Sequence, residues 1–292
     1  MSIEMSAQCF VCHMGHQVDA ARALGDEETA LAFSKELLRM YLEIPAGSHS
    51  SWLSPRTAKL FQKYYDVGPD RMWKEKKESN EFVRGKLDEI RAKVKTAADP
   101  LFAAIRFSIL GNYLDFGALQ GQVSFEALEQ MLNKGLELEL DRAVYDDLCR
   151  DLEDAKTLLY LTDNAGEIGF DRIFAEEIAR RYPHLAITFC VRGQITQNDA
   201  TREDAAAVGI PFPVIDNGNR VAGTQLDQLS EEADTALNTA DVVIAKGMGN
   251  TETMFGCGLN VYYAFLIKCQ RFVTVFGQPM FTPMLVKEKA PR

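Results

Sequence analysis

From about residue 155 onward, short apolar runs alternate with helical patterns, and this alternation limits the possible folds more than any other feature of the chain. The runs are rich in β-branched and aromatic residues and fall at 157–161, 186–191, 212–215, 241–245 and 272–276. Between them, Phe170, Ile173, Phe174 and Ile178 share one helical face, and 201–208 and 226–240 read as two more helices. Apolar strands separated by helices belong to a mainly parallel sheet that is covered on both faces. The expectation is an α/β protein with a Rossmann-like central sheet flanked by helices.

The part before this, 1–150, reads as helical, and 151–292 as the α/β part. Ala30, Leu31, Phe33, Leu37, Leu38 and Tyr41 form an apolar stripe at helical spacing. Ser54-Pro55 reads as an N-cap followed by proline at the first helical position. The span 81–95 is charged, with a sparse stripe of Phe82, Leu87, Ile90 and Val94, and is expected to be a solvated surface helix. Pro100 starts a helix with Leu101, Ile105 and Ile109 in line, which runs into Gly111-Asn112-Tyr113-Leu114-Asp115-Phe116-Gly117. No linker rich in proline or glycine marks the join near 150, so the two parts are expected to share a core.

A net charge of −10 argues against a nucleic-acid footprint or an anionic membrane surface. No apolar run approaches the ~18 residues of a membrane span, and residues 1–8 lack a signal-peptide pattern. The expected setting is the cytoplasm, with the six cysteines reduced and Cys190 buried in a strand. Cys9-Phe10-Val11-Cys12-His13-Met14-Gly15-His16 fails as a haem attachment site without an export signal. As a zinc site it lacks two ligand pairs set apart by a longer segment. A metal-free reduced pair and a redox-sensitive pair stay open, as does the choice between monomer and homo-oligomer.

Polar clusters stand at three strand ends. Leu158-Leu159-Tyr160-Leu161 runs into Thr162-Asp163-Asn164-Ala165-Gly166-Glu167 at the start of a helix, where backbone amides attract anions. Simple capping needs one such residue rather than an acid, an amide and a glycine together. The second strand leads through Val191-Arg192-Gly193 to Asn198-Asp199, on the same sheet edge. Two carboxylates and an amide make a hard-oxygen site that suits Mg²⁺ or Mn²⁺. The fourth strand ends in Lys246-Gly247-Met248-Gly249-Asn250, whose glycines allow close approach to a phosphate and whose lysine can neutralise it. Asp216-Asn217-Gly218 reads as a turn.

Asp163-Asn164-Ala165-Gly166-Glu167, Asn198-Asp199-Ala200-Thr201 and Lys246-Gly247-Met248-Gly249-Asn250 resemble the damage-control phosphatases, long catalogued as domain of unknown function 89. Gly111-Asn112-x-x-Asp115, Asp216-Asn217-Gly218 and Tyr262-Tyr263…Lys268-Cys269 are similar to that family as well. Cys9-x-x-Cys12 and Lys76-Lys77-Glu78-Ser79-Asn80 resemble its stand-alone prokaryotic branch. The likeness covers nearly the whole chain in order. It implies a metal-dependent phosphatase for small phosphorylated metabolites such as sugar phosphates or phosphopantetheine-like compounds. By the same resemblance, Asp163, Asn164 and Asp199 hold one divalent ion (Mn²⁺, Mg²⁺, Co²⁺ or Ni²⁺). Asn112, Asp115, Gly166, Glu167, Lys246, Gly247, Gly249 and Asn250 surround the phosphate, and Asp163, Asn112 and Lys246 act in catalysis. Thr251 departs from the pattern, since the family often has an aromatic residue there.

Three other readings compete. A haloacid-dehalogenase phosphatase has Asp-x-Asp after its first strand, where this chain has Asp163-Asn164-Ala165. An S-adenosylmethionine-dependent carboxyl methyltransferase fits the sheet pattern but lacks its Gly-x-Gly loop after Leu161. A non-enzymatic phosphometabolite sensor would bind esters without releasing phosphate.

Overall fold

The computed structural model describes residues 3–119 and 123–288. The chain opens with helices α1 (Ala7–Leu24), α2 (Glu27–Leu42), α3 (Ser54–Tyr65), α4 (Trp73–Thr96) and α5 (Pro100–Gly111). The short α6 (Phe116–Leu119), then α7 (Phe125–Asn133) and α8 (Arg142–Asp154), lead to the sheet. There follow β1 (Thr157–Leu161), α9 (Glu167–Arg181), β2 (Ala186–Val191), α10 (Arg202–Val208), β3 (Val214–Asp216) and α11 (Glu231–Thr239). The chain then forms β4 (Val242–Lys246), α12 (Gly247–Met254), β5 (Val261–Leu266), α13 (Gln270–Phe276) and β6 (Pro283–Lys287).

The strands make one sheet in the order β3-β2-β1-β4-β5-β6. All neighbours run parallel except β5 and β6, which are antiparallel. The chain winds outward from β1 to β3, returns to β4 and winds outward the other way. That reversal makes the carboxyl ends of β1 and β4 the switch point, where open α/β sheets bind ligands. The α/β class and the mainly parallel sheet expected from the sequence are both present.

Several boundaries differ. The run 272–276 lies in helix α13 instead of a strand. Phe272 and Phe276 stand one turn apart with ring centroids 5.5 Å from each other, and both pack on Phe265 of β5. An aromatic-rich segment this short fits either period, and the left-handed Gly277 (φ 66°) closes it as a helix. The strand of this region is β5, all six residues of which are buried. The expected helix at 226–240 splits into a 3₁₀ turn, Leu226–Gln228, and α11, whose cap Ser230 Oγ accepts from Ala233 N. Ser54 is already inside α3, because a 3₁₀ turn at Ser50–Leu53 starts the coil earlier.

The charged span 81–95 is part of α4, and it is not a solvated helix. Val83, Leu87, Ile90 and Val94 are buried against the sheet-covering layer, and its charges face outward. The stripe on α2 is narrower than expected: Ala30, Phe33 and Leu37 are buried, whereas Leu31 and Leu38 are exposed. Residues of α4, α5, α7 and α8 join β1 and α9 in one apolar cluster, so the helical and α/β parts share a core. Helices α1 to α3 close a separate cluster around Phe33, Leu37, Leu60 and Phe61. Among the described residues no helix is long and apolar enough to cross a membrane.

His13 ties α1 to α2 and α3. Thr57 Oγ1 gives its proton to the Leu53 carbonyl, so it accepts from His13 Nε2–H at 3.3 Å, and His13 Nδ1 accepts from the Tyr41 hydroxyl at 2.7 Å. Burial, with the charges of His16 and Arg71, lowers the His13 pKa to about 4. A depressed imidazole adds stability that is complete above pH ~6.5 and drains away as pH falls toward ~4, because the unfolded chain takes the proton first. Between pH 7 and 4.5, wild type is expected to lose on the order of 2 kcal/mol more unfolding free energy than His13→Gln, allowing for partial solvation of the ring. Urea titrations across that range check this, and parallel pH profiles for the two proteins would refute it.

Candidate active site

β1 and β2 deliver their loops to one rim, and backbone bonds fasten the loops together. Ala165 N donates to Asn198 O at 2.8 Å, Ala200 N to Asp163 O at 2.7 Å, and Thr162 N to Cys190 O at 3.1 Å. Asn164 and Asp199 face each other in an isolated antiparallel bridge. Asp163, Asn164 and Asp199, expected together from the strand ends, are therefore brought together. The capping alternative does not hold for them: Gly166 caps α9 without a side chain, and α10 is capped by a Thr201–Asp204 box.

Asp163 Oδ2 accepts from Asn112 Nδ2 at 2.9 Å and from Asn164 Nδ2 at 2.8 Å. Asn112 is the fully buried cap at the end of α5, and its Oδ1 accepts from Leu266 N, so it locks Asp163 to β5. The Asn164 carbonyl Oδ1 accepts from Asn198 Nδ2 at 2.9 Å and keeps a second lone pair. Arg192 Nε donates to Asp199 Oδ2 at 2.6 Å, and its Nη2 stands 3.7 Å from Asp163 Oδ1. Burial raises the pKa of Asp163 well above the usual carboxylate range, and the charges of Glu167 and Asp199 raise it further. Burial raises Asp199 too, against the pull of Arg192. Crowded, desolvated carboxylates of this kind demand positive charge. Two carboxylates and an amide carbonyl also form the hard-oxygen set that a small divalent cation takes, so the residues present fit such an ion.

Lys246 stands elsewhere than the sequence suggested. Its ammonium is sealed beneath the rim, 2.9 Å from Glu167 Oε1 and 2.7 Å from Asp171 Oδ1, and it donates to the carbonyl and the hydroxyl of Ser108 at 2.8 Å. Burial opposes its charge, but Asp171 and Glu167 hold its pKa above the ordinary lysine value. Glu167 is likewise enclosed and accepts from Asn112 and Asn164. Asn250 turns inward as well, donating to the carbonyls of Thr162 and Lys246 and accepting from Thr224 Oγ1. The Gly166 amide donates to Asn80 Oδ1 at 2.7 Å. These four residues, expected around a phosphate, lie beneath the rim and support Asp163 and Asn164.

The rim opens into a cleft of about 180 Å³. Asp115, Asp163, Asn164 and Asp199 line one side, with Met248 and Gly249 at the N-terminal end of α12. Asp115 is held by Lys268, whose Nζ lies 2.6 Å from Asp115 Oδ2 and 2.8 Å from Asn112 O. The other wall comes from the helical part: His13, Ser50, Ser51 and Ser54, together with Glu252, which accepts from Ser50 Oγ. In α1, Cys12 Sγ lies 3.9 Å from the His16 ring while His13 faces Tyr41, so the cysteine–histidine motif does not converge. Among the described residues no three His, Cys, Asp or Glu side chains gather as a metal cage, so the candidate centre relies on the Asn164 amide.

Arg192, Lys268 and the serines were not singled out as site residues by sequence. A charged residue closing an apolar strand was a usable signal for Arg192. Nothing local marks Ser50, Ser51 and Ser54 as site residues; they reach the cleft because the 3₁₀ turn Ser50–Leu53, which leads into α3, packs on α12.

A doubly wound sheet with acids and amides at its switch point defines an α/β protein with a site for a small, charged ligand. Residues 5–282 match the family model described as the damage-control phosphatase ARMT1-like domain, and the chain belongs to that family. It is 31% identical to an uncharacterised protein of Methanocaldococcus jannaschii, over 98% of this chain and 96% of the other. It is also 29% identical to a protein of Archaeoglobus fulgidus named damage-control phosphatase, over 92% and 93% of the two chains. A crystal structure of a domain-of-unknown-function-89 protein from Pyrococcus horikoshii superposes with a TM-score of 0.83 at 26% identity, covering 98% of this chain and 99% of that one.

Gly247 gives a sharp test of how tightly Asp163 is held. Its φ is 77°, and a Cβ there would stand 1.9 Å from Asp163 Oδ2. Gly258 has a similar φ of 81° but open space around it. Gly258→Ala should cost the backbone strain alone, about 1 kcal/mol, whereas Gly247→Ala should cost several kcal/mol by displacing the carboxylate. Denaturant unfolding of both variants checks the difference, and equal costs would contradict the described packing.

Proposed function

We propose that this chain is a metal-dependent phosphatase that hydrolyses phosphomonoesters of small metabolites, in metabolite damage control. The observation that carries the proposal is the rim itself: the hard-oxygen side chains Asp163, Asn164 and Asp199 line one cleft at the sheet's switch point. Family membership and the relatives named damage-control phosphatase support phosphate-ester chemistry. The acidic rim alone would repel a phosphate, which supports a resident cation in turn.

In this reading Asp163, Asn164 and Asp199 would hold one divalent ion (Mn²⁺, Mg²⁺, Co²⁺ or Ni²⁺), which would supply Lewis-acid polarisation of the phosphoryl group and offset its charge. Asn112 and Asn164 bind Asp163 Oδ2, so Oδ1 is the oxygen that would be left to such an ion. Arg192 fixes Asp199 in the same way. The N-terminal end of α12, at Met248 and Gly249, presents backbone dipoles to the phosphate oxygens. Lys268 adds positive charge near the rim through its Asp115 contact. Lys246 acts below the site, fixing Glu167 and through it the loop that bears Asn164.

Phosphate release from a panel of phosphorylated metabolites should need an added divalent ion and should stop on chelation. Asp163→Asn should lower kcat by roughly a hundredfold or more. Wild-type, metal-dependent turnover in that variant would overturn the proposal. Ester binding without phosphate release would mark a sensor instead.

A further inference from the structure

A smaller hollow of about 30 Å³ adjoins the cleft and shares His13, Ser54 and Gln197 with it. Its character is opposite. No carboxylate lines it, although the chain has 42 acidic against 32 basic residues, and Arg71 and Arg220 both do. Arg71 lies with its guanidinium 4.4 Å over the Phe61 ring. Arg220 Nε donates to the neutral Gln194 Oε1 at 2.9 Å. Neither guanidinium is ion-paired among the described residues.

A third residue of the hollow carries an unpartnered polar atom. Gln17 is 8% exposed and its buried Oε1 makes no hydrogen bond. Turned by half a rotation, the same amide presents N–H donors at that point. Two guanidinium groups without an ion pair and an unsatisfied buried amide, beside a cleft lined by three aspartates, are placed to receive an anion next to the candidate metal centre.

We infer that this hollow is a subsite for a second anionic group of the substrate, so that the preferred class is a phosphomonoester bearing a carboxylate or a further phosphate at its far end. The inference rests on the phosphatase reading. Arg71 and Arg220 recognise the distal anion by charge-assisted hydrogen bonds, and Gln17 completes the set. The acidic rim and its cation take the phosphoryl end. The geometry selects by charge at both ends and excludes neutral sugar tails from the tightest mode.

The test compares matched pairs on three skeletons, using the Mn²⁺-loaded full chain. These are glycerol 3-phosphate with 3-phosphoglycerate, glucose 1-phosphate with glucuronic acid 1-phosphate, and ribose 5-phosphate with ribose 1,5-bisphosphate. The first two pairs add a carboxylate and the third a phosphate, so the arms separate the two anions. Both kcat/KM and calorimetric affinity are measured. In at least one pair wild type should favour the doubly anionic member by about tenfold or more. In Arg71→Gln that preference should shrink to about twofold or less. Arg220→Gln serves as a second variant, since Arg71 also packs on Phe61, and circular dichroism checks both folds. Absence of a preference in every pair, or a preference that survives in both folded variants, would overturn the inference. If no pair releases phosphate, the phosphatase reading fails, and the calorimetric preference still decides for or against the subsite.

Discussion

Burial and the like charges of Glu167 and Asp199 work against the ionised form of Asp163, and much of the surrounding structure exists to manage that conflict. Asn112 and Asn164 satisfy one carboxylate oxygen, and Arg192 bridges toward the other while holding Asp199. Beneath them Lys246 neutralises Glu167 and Asp171 in a site closed to water. Buried ion pairs of this sort return little net stability, because desolvation offsets their attraction. Their value is positional. Losing Lys246 would leave two buried acids unpaired and release the floor of the site.

The outer support is equally specific. Asn80 on α4 receives the Gly166 amide and donates to Asp204 at 2.9 Å, and Lys76 pairs with Asp204 at 2.7 Å. Helix α4 thereby clamps the β1–α9 loop to the start of α10. The α1–α3 part closes the cleft from the other side with His13, with Ser50 and Ser51 ahead of α3 and with Ser54 at its start. The cleft thus brings the helical part at residues 13–54 against the sheet edge at Asp163, Asn164 and Asp199, and it is made by their packing.

The sheet was legible because its strands are continuous apolar runs, and β1 and β2 fall where the sequence puts them. β5 was passed over in favour of 272–276, since hydrophobicity and aromatic content do not separate a short buried strand from a short amphipathic helix. The convergence of Asp163, Asn164 and Asp199 followed from parallel strands sharing one edge. The direction of Lys246 did not, although strand alternation contained it. Leu158 and Tyr160 of β1, with Val242 and Ile244 of β4, face α5 and α9, whereas Val243 and Ala245 face the opposite layer. Lys246 continues the Ile244 face and so points under the site. The contributions of Ser50, Ser54 and Arg71 depend on tertiary packing that no local pattern encodes.

The proposal that the carboxylate rim holds a cation can be tested directly by titrating chelator-stripped protein with Mn²⁺ and following the free-ion signal by electron paramagnetic resonance. The proposed function predicts about one tightly bound ion per chain, weakened by an order of magnitude or more in Asp199→Asn, as loss of a proposed ligating carboxylate requires. Undiminished binding in that variant, with the fold intact, would contradict the assignment of Asp163, Asn164 and Asp199 as the metal centre.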